Sequence, residues 1–225
     1  MRTLILAAGQ SRRFLQEGIL IPKPFLLIEW RGTVLMMLEH VINTVPLHFD
    51  VSVAIPANSP ALTISRHVNI YEVPQTKGPA HTALQAMNMM EEESTLIIDV
   101  DMLNFTNDLC HLASLSCCGV LVGHSTNPAF SYVDNLGPFI HIKEKVRISN
   151  YAVRGAYFIP ISLRQEFIKC LEQAIGNKSE PFISHAFDSM RSEKFSIKTT
   201  YVPIDWGTPR DIRISGAHII YNKGL

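Results

Sequence analysis

Asp99 and Asp101 stand two residues apart where an apolar run over 96–98 ends. On a strand, period two places both carboxylates on one face. Hard oxygen donors of that kind suit Mg²⁺, which takes one or two carboxylates and completes its shell with substrate phosphates. Asp99 can assist such an ion or simply cap a turn. Near the amino end, Ala7-Ala8-Gly9-Gln10-Ser11-Arg12-Arg13-Phe14 joins a small-residue turn to two arginines. Backbone N–H groups exposed by such a turn bind phosphate oxygens, and guanidinium groups add charge-assisted bonds. Lys23 lies between Pro22 and Pro24, which fix its backbone and exclude helix, so a long cationic side chain stands on a stiff base.

These segments resemble the nucleotidyltransferases that join nucleoside triphosphates to sugar 1-phosphates and similar acceptors, the NDP-sugar pyrophosphorylase type. Residues 4–25 match that family's L-A-A-G-x-G-x-R-(F/M) … P-K-P pattern, with Ser11 where a second glycine is usual. Gln75-Thr76-Lys77-Gly78-Pro79-Ala80 is similar to its small-residue stretch after the third strand. Lys143-Glu144-Lys145 followed by Ser149-Asn150-Tyr151-Ala152-Val153-Arg154-Gly155-Ala156-Tyr157-Phe158 resembles its acceptor-binding E-K and S-N-Y-A-V-x-G-x-Y-F strand. Asp205-Trp206-Gly207-Thr208-Pro209-Arg210-Asp211 resembles its closing D-x-G-T-P-x-D/E motif.

The resemblance implies roles. Ala8, Gly9, Gln10, Ser11 and Arg12 would bind the nucleotide, with Gln75 and Gly78 near the base. Arg13 would hold the departing pyrophosphate, and Lys23 would bridge toward the α-phosphate. Lys145 would grip the acceptor phosphate, Glu144 a hydroxyl or amine beyond it, and Gly155 would line that subsite. Asp101 and Asp205, 104 positions apart, would hold Mg²⁺. The expected reaction condenses a nucleoside triphosphate with a phosphorylated acceptor, a sugar 1-phosphate first, and releases pyrophosphate. Two alternatives stay open. The D-x-D pair also resembles the metal motif of nucleotide-sugar glycosyltransferases, and a non-catalytic nucleotide-binding protein would keep the same residues.

Such an acceptor is already an anion near neutral pH and needs no general base. The chain correspondingly shows no G-x-S-x-G elbow, Walker loop or HExxH spacing. His81 reads as a helix-face residue, and Met87, Met89 and Met90 as core. Twenty basic residues balance twenty acidic ones, so no overall field draws the chain to nucleic acid or an anionic membrane. The apolar run over 4–8 is too short for a signal peptide, and no stretch approaches the roughly 20 residues of a membrane span. The four cysteines form no CxxC pair and read as buried, reduced thiols of a cytoplasmic protein. Oligomeric state, a homo-oligomer included, is left open.

The 225 residues, 47% hydrophobic, suit one domain over 1–225, with a nucleotide-binding half over 1–124 and an acceptor-binding half over 125–225. Strand-length apolar runs at 3–7, 51–55, 69–73, 96–100 and 120–123 alternate with helical patterns at 34–45 and 80–90. That order predicts a Rossmann-like α/β/α fold, three-layered, with a mixed, mostly parallel central sheet and ligands at the carboxyl ends of its strands. After residue 124, short strands at 130–133, 139–142 and 153–159 and helices at 163–174 and 181–190 read as an insertion capping the sheet. The resemblance implies the same fold, that of nucleotide-diphospho-sugar transferases, the GT-A type.

Overall fold

The computed structural model describes residues 1–134 and 140–220. Its elements run β1 (Arg2–Leu6), α1 (Arg12–Gln16), β2 (Leu27–Trp30), β3 (Thr33–Met36), α2 (Met37–Ile42), β4 (Asp50–Pro56), β5 (Asn69–Val73), α3 (Pro79–Met89), β6 (Thr95–Asp99), β7 (Met102–Leu103), α4 (Thr106–Ala113) and β8 (Cys118–His124). Then come β9 (Tyr132–Asp134), β10 (His141–Lys143), β11 (Tyr151–Ile159), α5 (Arg164–Asn177), α6 (Ile183–Ser189), β12 (Lys194–Lys198), β13 (Ile204–Asp205), α7 (Pro209–Ile214) and β14 (His218–Ile219). The strand predicted over 139–142 begins at Phe139, which lies outside the described residues.

Strands β5, β4, β1 and β6 lie side by side and parallel. The chain leaves β1 toward β4 and β5, then returns on the other side of β1 as β6. This reversal makes a topological switch point between β1 and β6, where α/β sheets open a crevice for ligands. The loops that leave this point are 7–11 and 100–101, which carry the glycine turn and Asp101. Apolar side chains cover both faces of these strands, hence their nearly unbroken runs of Leu, Ile and Val. One face packs on α2, α4 and α7, the other on α3, α5 and α6. The three-layer expectation holds.

Three local readings change. Residues 33–36 pair with β2 in a hairpin rather than opening a helix. Its turn, Arg31-Gly32, has both residues at positive φ, 51° and 76°, the twist that closes a two-residue hairpin. Strand β8 is parallel only to β12 and antiparallel to β11. The half after residue 124 also does more than cap the sheet, because β11 runs antiparallel to β6 and continues it. All but the first of its nine residues are buried, so β11 needs cover on both faces and takes an interior position.

Along one edge β11 pairs with β6 at 156–159 and with β9 at Ala152. At the change of partner its register against β8 slips between Val153 and Tyr157. Gly155 sits in that slip at φ +57°, a bulge that bends the strand and opens the sheet. The functional cleft lies over this fork. Among the described residues no helix is long and apolar enough to cross a membrane.

Candidate active site

A cleft of about 690 Å³ runs from the β1 turn across the end of β6 to the β9–β11 fork. Residues 8–13 form one wall. Ser11 takes the left-handed conformation, φ 52°, that the usual glycine would adopt at no steric cost. Its hydroxyl accepts from the Lys23 backbone N–H at 2.8 Å, so it ties the proline-flanked loop to the glycine turn. Beyond Gly9 there is open space where a side chain would stand, which leaves the backbone free to meet a ligand. Arg12 donates to Gln10 Oε1 at 2.9 Å.

The opposite floor is acidic. Strand β6 stops at Asp99, and Asp101 lies in the following turn, so strand alternation is not what aligns the pair. Tertiary pairing does that work for Asp101 and Asp205. Strands β7 and β13 are antiparallel, with Asp205 opposite Met102, and Trp206 N–H donates to the Asp101 carbonyl at 2.8 Å. Trp206 is fully buried, edge-on to His40 at 5.2 Å and to Trp30 at 5.9 Å, and its indole N–H donates to Ser215 Oγ. A large aromatic anchor thus holds the backbone between the two aspartates. A Cβ at Gly207 would lie 2.9 Å from Asp205 Oδ1, 3.6 Å from Asp101 Oδ2 and 3.5 Å from Arg13 Nη1. The glycine keeps the space among these three side chains clear.

Lys23 Nζ donates to Asp101 Oδ2 at 2.6 Å. Withdrawal from solvent alone would raise the Asp101 pKa, but the Lys23 ammonium holds it below the usual carboxylate range. Burial, with Asp101 close by, lifts Asp205 to about 6 and Asp99 to about 8. Asp99 therefore carries a proton near neutral pH, which limits repulsion in a floor of three carboxyls. A carboxyl with a raised folded pKa keeps its proton in the folded state and loses it in the unfolded one. Its destabilising effect is absent below the ordinary value of 3.8 and grows as pH rises toward about 8. In chelator-containing buffer Asp99→Asn, which imitates the neutral acid, is expected to match wild type near pH 5. By pH 8.5 it should melt well above wild type; parallel Tm–pH curves would refute the protonated Asp99.

Gly155 backs onto this carboxyl: a Cβ there would meet Asp99 Oδ2 at 2.9 Å and Met102 Cγ at 2.8 Å. With its positive φ added, Gly155→Ala is expected to cost about 1–3 kcal/mol of unfolding free energy. Urea denaturation measures this, and a wild-type midpoint would contradict the packing described.

The other predicted residues divide. Gly78 lines the cleft, and a Cβ on it would meet the Pro181 carbonyl at 2.7 Å. Gln75 is exposed and lies off the cleft; the lining residue is its neighbour Thr76, whose hydroxyl bonds that of Thr82 at 2.8 Å. Glu144 lines the cleft and accepts from the hydroxyls of Ser131 and Ser184. Lys145 stands outside the lining, 3.7 Å from Glu180 and 4.4 Å above the Phe182 ring. Phe130, Phe182, Tyr157 and Arg210 also line the cleft without having been assigned a role. Arg210 sits inside the closing motif and was readable as a further cation. The serines on Glu144 come from segments 53 residues apart and carry no sequence signal. His81 accepts from Lys77 N–H on the α3 face, and of the three methionines Met87 and Met90 are core while Met89 is half exposed.

The site thus has a cationic wall made of Arg13, Lys23 and open backbone, facing a carboxylate floor, with a hydroxyl-braced Glu144 at the far end. A model of the MobA-like NTP transferase domain matches residues 3–120. The chain belongs to that family. No curated protein sequence matches this family member. Its fold is that of UTP-bound UGPase from Acinetobacter baumannii, at TM-score 0.77 and 16% identity over 95% of this chain and 91% of that one. The inositol-1-phosphate CTP transferase from T. maritima superposes at TM-score 0.75 and 14% identity, covering 96% and 93%. The nucleoside-diphosphate-sugar pyrophosphorylase from Vibrio cholerae RC9 does so at 0.72 and 15%, covering 96% and 99%.

The paired carboxylates fit Mg²⁺. Among the described residues no group of three or more His, Cys, Asp or Glu side chains forms a metal-sized cluster. Two carboxylates around the space left by Gly207 are the donor set Mg²⁺ uses when substrate phosphates complete its shell.

Proposed function

We propose that this MobA-like NTP transferase transfers the nucleotidyl group of a nucleoside triphosphate to a phosphorylated acceptor, a sugar 1-phosphate first, and releases pyrophosphate. The observation that carries the reading is the convergence of Arg13, Lys23, Asp101 and Asp205 around Gly207 at the β1–β6 switch point. The similar folds of a UTP-bound UGPase, a nucleoside-diphosphate-sugar pyrophosphorylase and an inositol-1-phosphate CTP transferase support it.

Triphosphate and acceptor bring roughly six negative charges together, so the chain's main task is positioning and charge balance. Backbone N–H groups of 9–12 and the Arg13 guanidinium would hold the β- and γ-phosphates and the leaving pyrophosphate. Lys23 would leave Asp101 and move its ammonium to the α-phosphate. Asp101 and Asp205 would hold Mg²⁺, which supplies Lewis-acid stabilisation of charge at phosphorus. Asp99, whose carboxyl pKa burial and Asp101 raise, would add less charge to the floor than an ordinary aspartate. Glu144, set by Ser131 and Ser184, would accept from hydroxyls of the acceptor, and the aromatic rings of Phe130 and Phe182 would border it. The acceptor phosphate needs no base to attack.

The test is pyrophosphate release with Mg²⁺ across a matrix of nucleoside triphosphates and phosphorylated acceptors, with Asp101→Asn as the blank. Release that needs one triphosphate, one acceptor and Asp101 is the expected result. Triphosphate binding with silence across the whole matrix would overturn the catalytic reading.

A further inference from the structure

A second cavity, of about 440 Å³, opens where β8 and β12 end, and it shares no lining residue with the main cleft. Its walls are Gly123, His124, Tyr151, Arg154, Lys198 and the segment 199–203. Arg154 is 5% exposed, and an arginine stays charged even where burial lowers its pKa. A buried guanidinium normally has a carboxylate beside it. Among the described residues no carboxylate lies within ion-pair distance of Arg154 or of Lys198. Arg154 donates one bond, to the His124 carbonyl at 2.8 Å, and its Nε is buried without a partner.

The surroundings are shaped for this cation. A Cβ at Gly123 would come 2.7 Å from Arg154 Nε and 3.2 Å from Thr199 Oγ1, so the glycine makes the room the guanidinium occupies. Phe130 supports it from the other side, 5.0 Å from ring to Cζ. Lys198 Nζ lies 4.5 Å above the Tyr151 ring. Two acids lie near: Asp205, whose charge reaches Arg154 from the floor of the main cleft without an ion pair, and Asp108, which is buried and already accepts from the N–H and hydroxyl of Thr200. The cavity therefore presents two permanent cations and two tyrosines, with no carboxylate in its lining.

We propose that this cavity is a binding site for a small phosphate-bearing molecule, separate from the catalytic cleft. Two cations with no carboxylate in ion-pair contact match a dianion, and charge-assisted bonds from a guanidinium suit phosphate oxygens. Tyr151 and the exposed Tyr201 offer flat faces to whatever group the phosphate carries.

The test is titration of the ¹⁵N-labelled full chain with inorganic phosphate, read at individual amides. Saturable shifts are expected at Gly123, Thr199 and Thr200, with acetate at equal ionic strength about tenfold weaker. Lys198→Ala removes an exposed side chain and should keep the fold; it is expected to weaken these shifts about tenfold, and Arg154→Met to abolish them. Phosphate entering the catalytic cleft is read separately at Gly9 and Arg12, where Lys198→Ala should change nothing. Absence of saturable shifts at 123 and 199–200, equal shifts with acetate, or shifts unaltered by Lys198→Ala would each overturn the site. Should Arg154→Met fail to fold, the Lys198→Ala titration decides alone.

Discussion

Turnover of Asp101→Asn and of Asp205→Asn is expected to fall by about 10³-fold each, the scale on which removal of one preorganised electrostatic contact is felt. Asparagine keeps the shape of the side chain and an acceptor oxygen, so Gly207 N–H, which donates to Asp205 at 2.7 Å, retains a partner. The carboxylate charge is what disappears. Asp205 is already raised by burial and by Asp101, and neutralising it relieves repulsion, so its variant should melt no lower than wild type. Asp101→Asn takes away the charge that faces the Lys23 ammonium at 2.6 Å and is expected to lose a few degrees. Pyrophosphate release with Mg²⁺ beside thermal melts separates the two effects. Near wild-type rates in both variants would remove the metal assignment.

Lys23→Ala is expected to cut kcat by about 10²-fold while moving Tm by no more than a few degrees. Contrary to expectation, Pro22 and Pro24 do not exclude helix, for Lys23–Phe25 forms a single 3-10 turn with Pro24 in its first positions; fixed there and by the Ser11 hydroxyl, the side chain reaches the cleft floor rather than the core. Removing it also removes the cation that holds Asp101 below the ordinary carboxylate range. The acid limb of the kcat/KM profile should therefore move to higher pH, a shift that loss of a merely structural contact would not produce. An unchanged rate together with a large fall in Tm would contradict the role given to Lys23.

Much of the frame was legible because parallel strands covered on both faces have a strong signature. The run over 69–73 coincides with β5, and those over 3–7, 51–55 and 96–100 fall within a residue of β1, β4 and β6. The helix predicted over 34–45 was half right. Its first residues face β2 across the Arg31-Gly32 turn, and a short apolar stretch does not distinguish strand from helix by period alone. Strand β11 was visible, but its place beside β6 was not. Nothing local in 153–159 says which edge will accept it, since that depends on covering two apolar faces at once.

The site divides in the same way. The glycine turn, the proline-flanked lysine and the D-x-D pair are contiguous, and their backbone and charge requirements are written in neighbouring residues. Those features were sufficient to raise the expectation of phosphate handling and to give the α/β frame. The contacts between distant segments depended on the fold: Asp205 against Asp101 through β7 and β13, Lys23 on Asp101, Ser131 and Ser184 on Glu144, and Arg154 in the space that Gly123 leaves. Each joins residues between 13 and 104 positions apart. A local pattern expresses the conformation that a few successive residues prefer. Which of those residues meet is decided by the burial of whole sheets and helices, and therefore only by the tertiary structure.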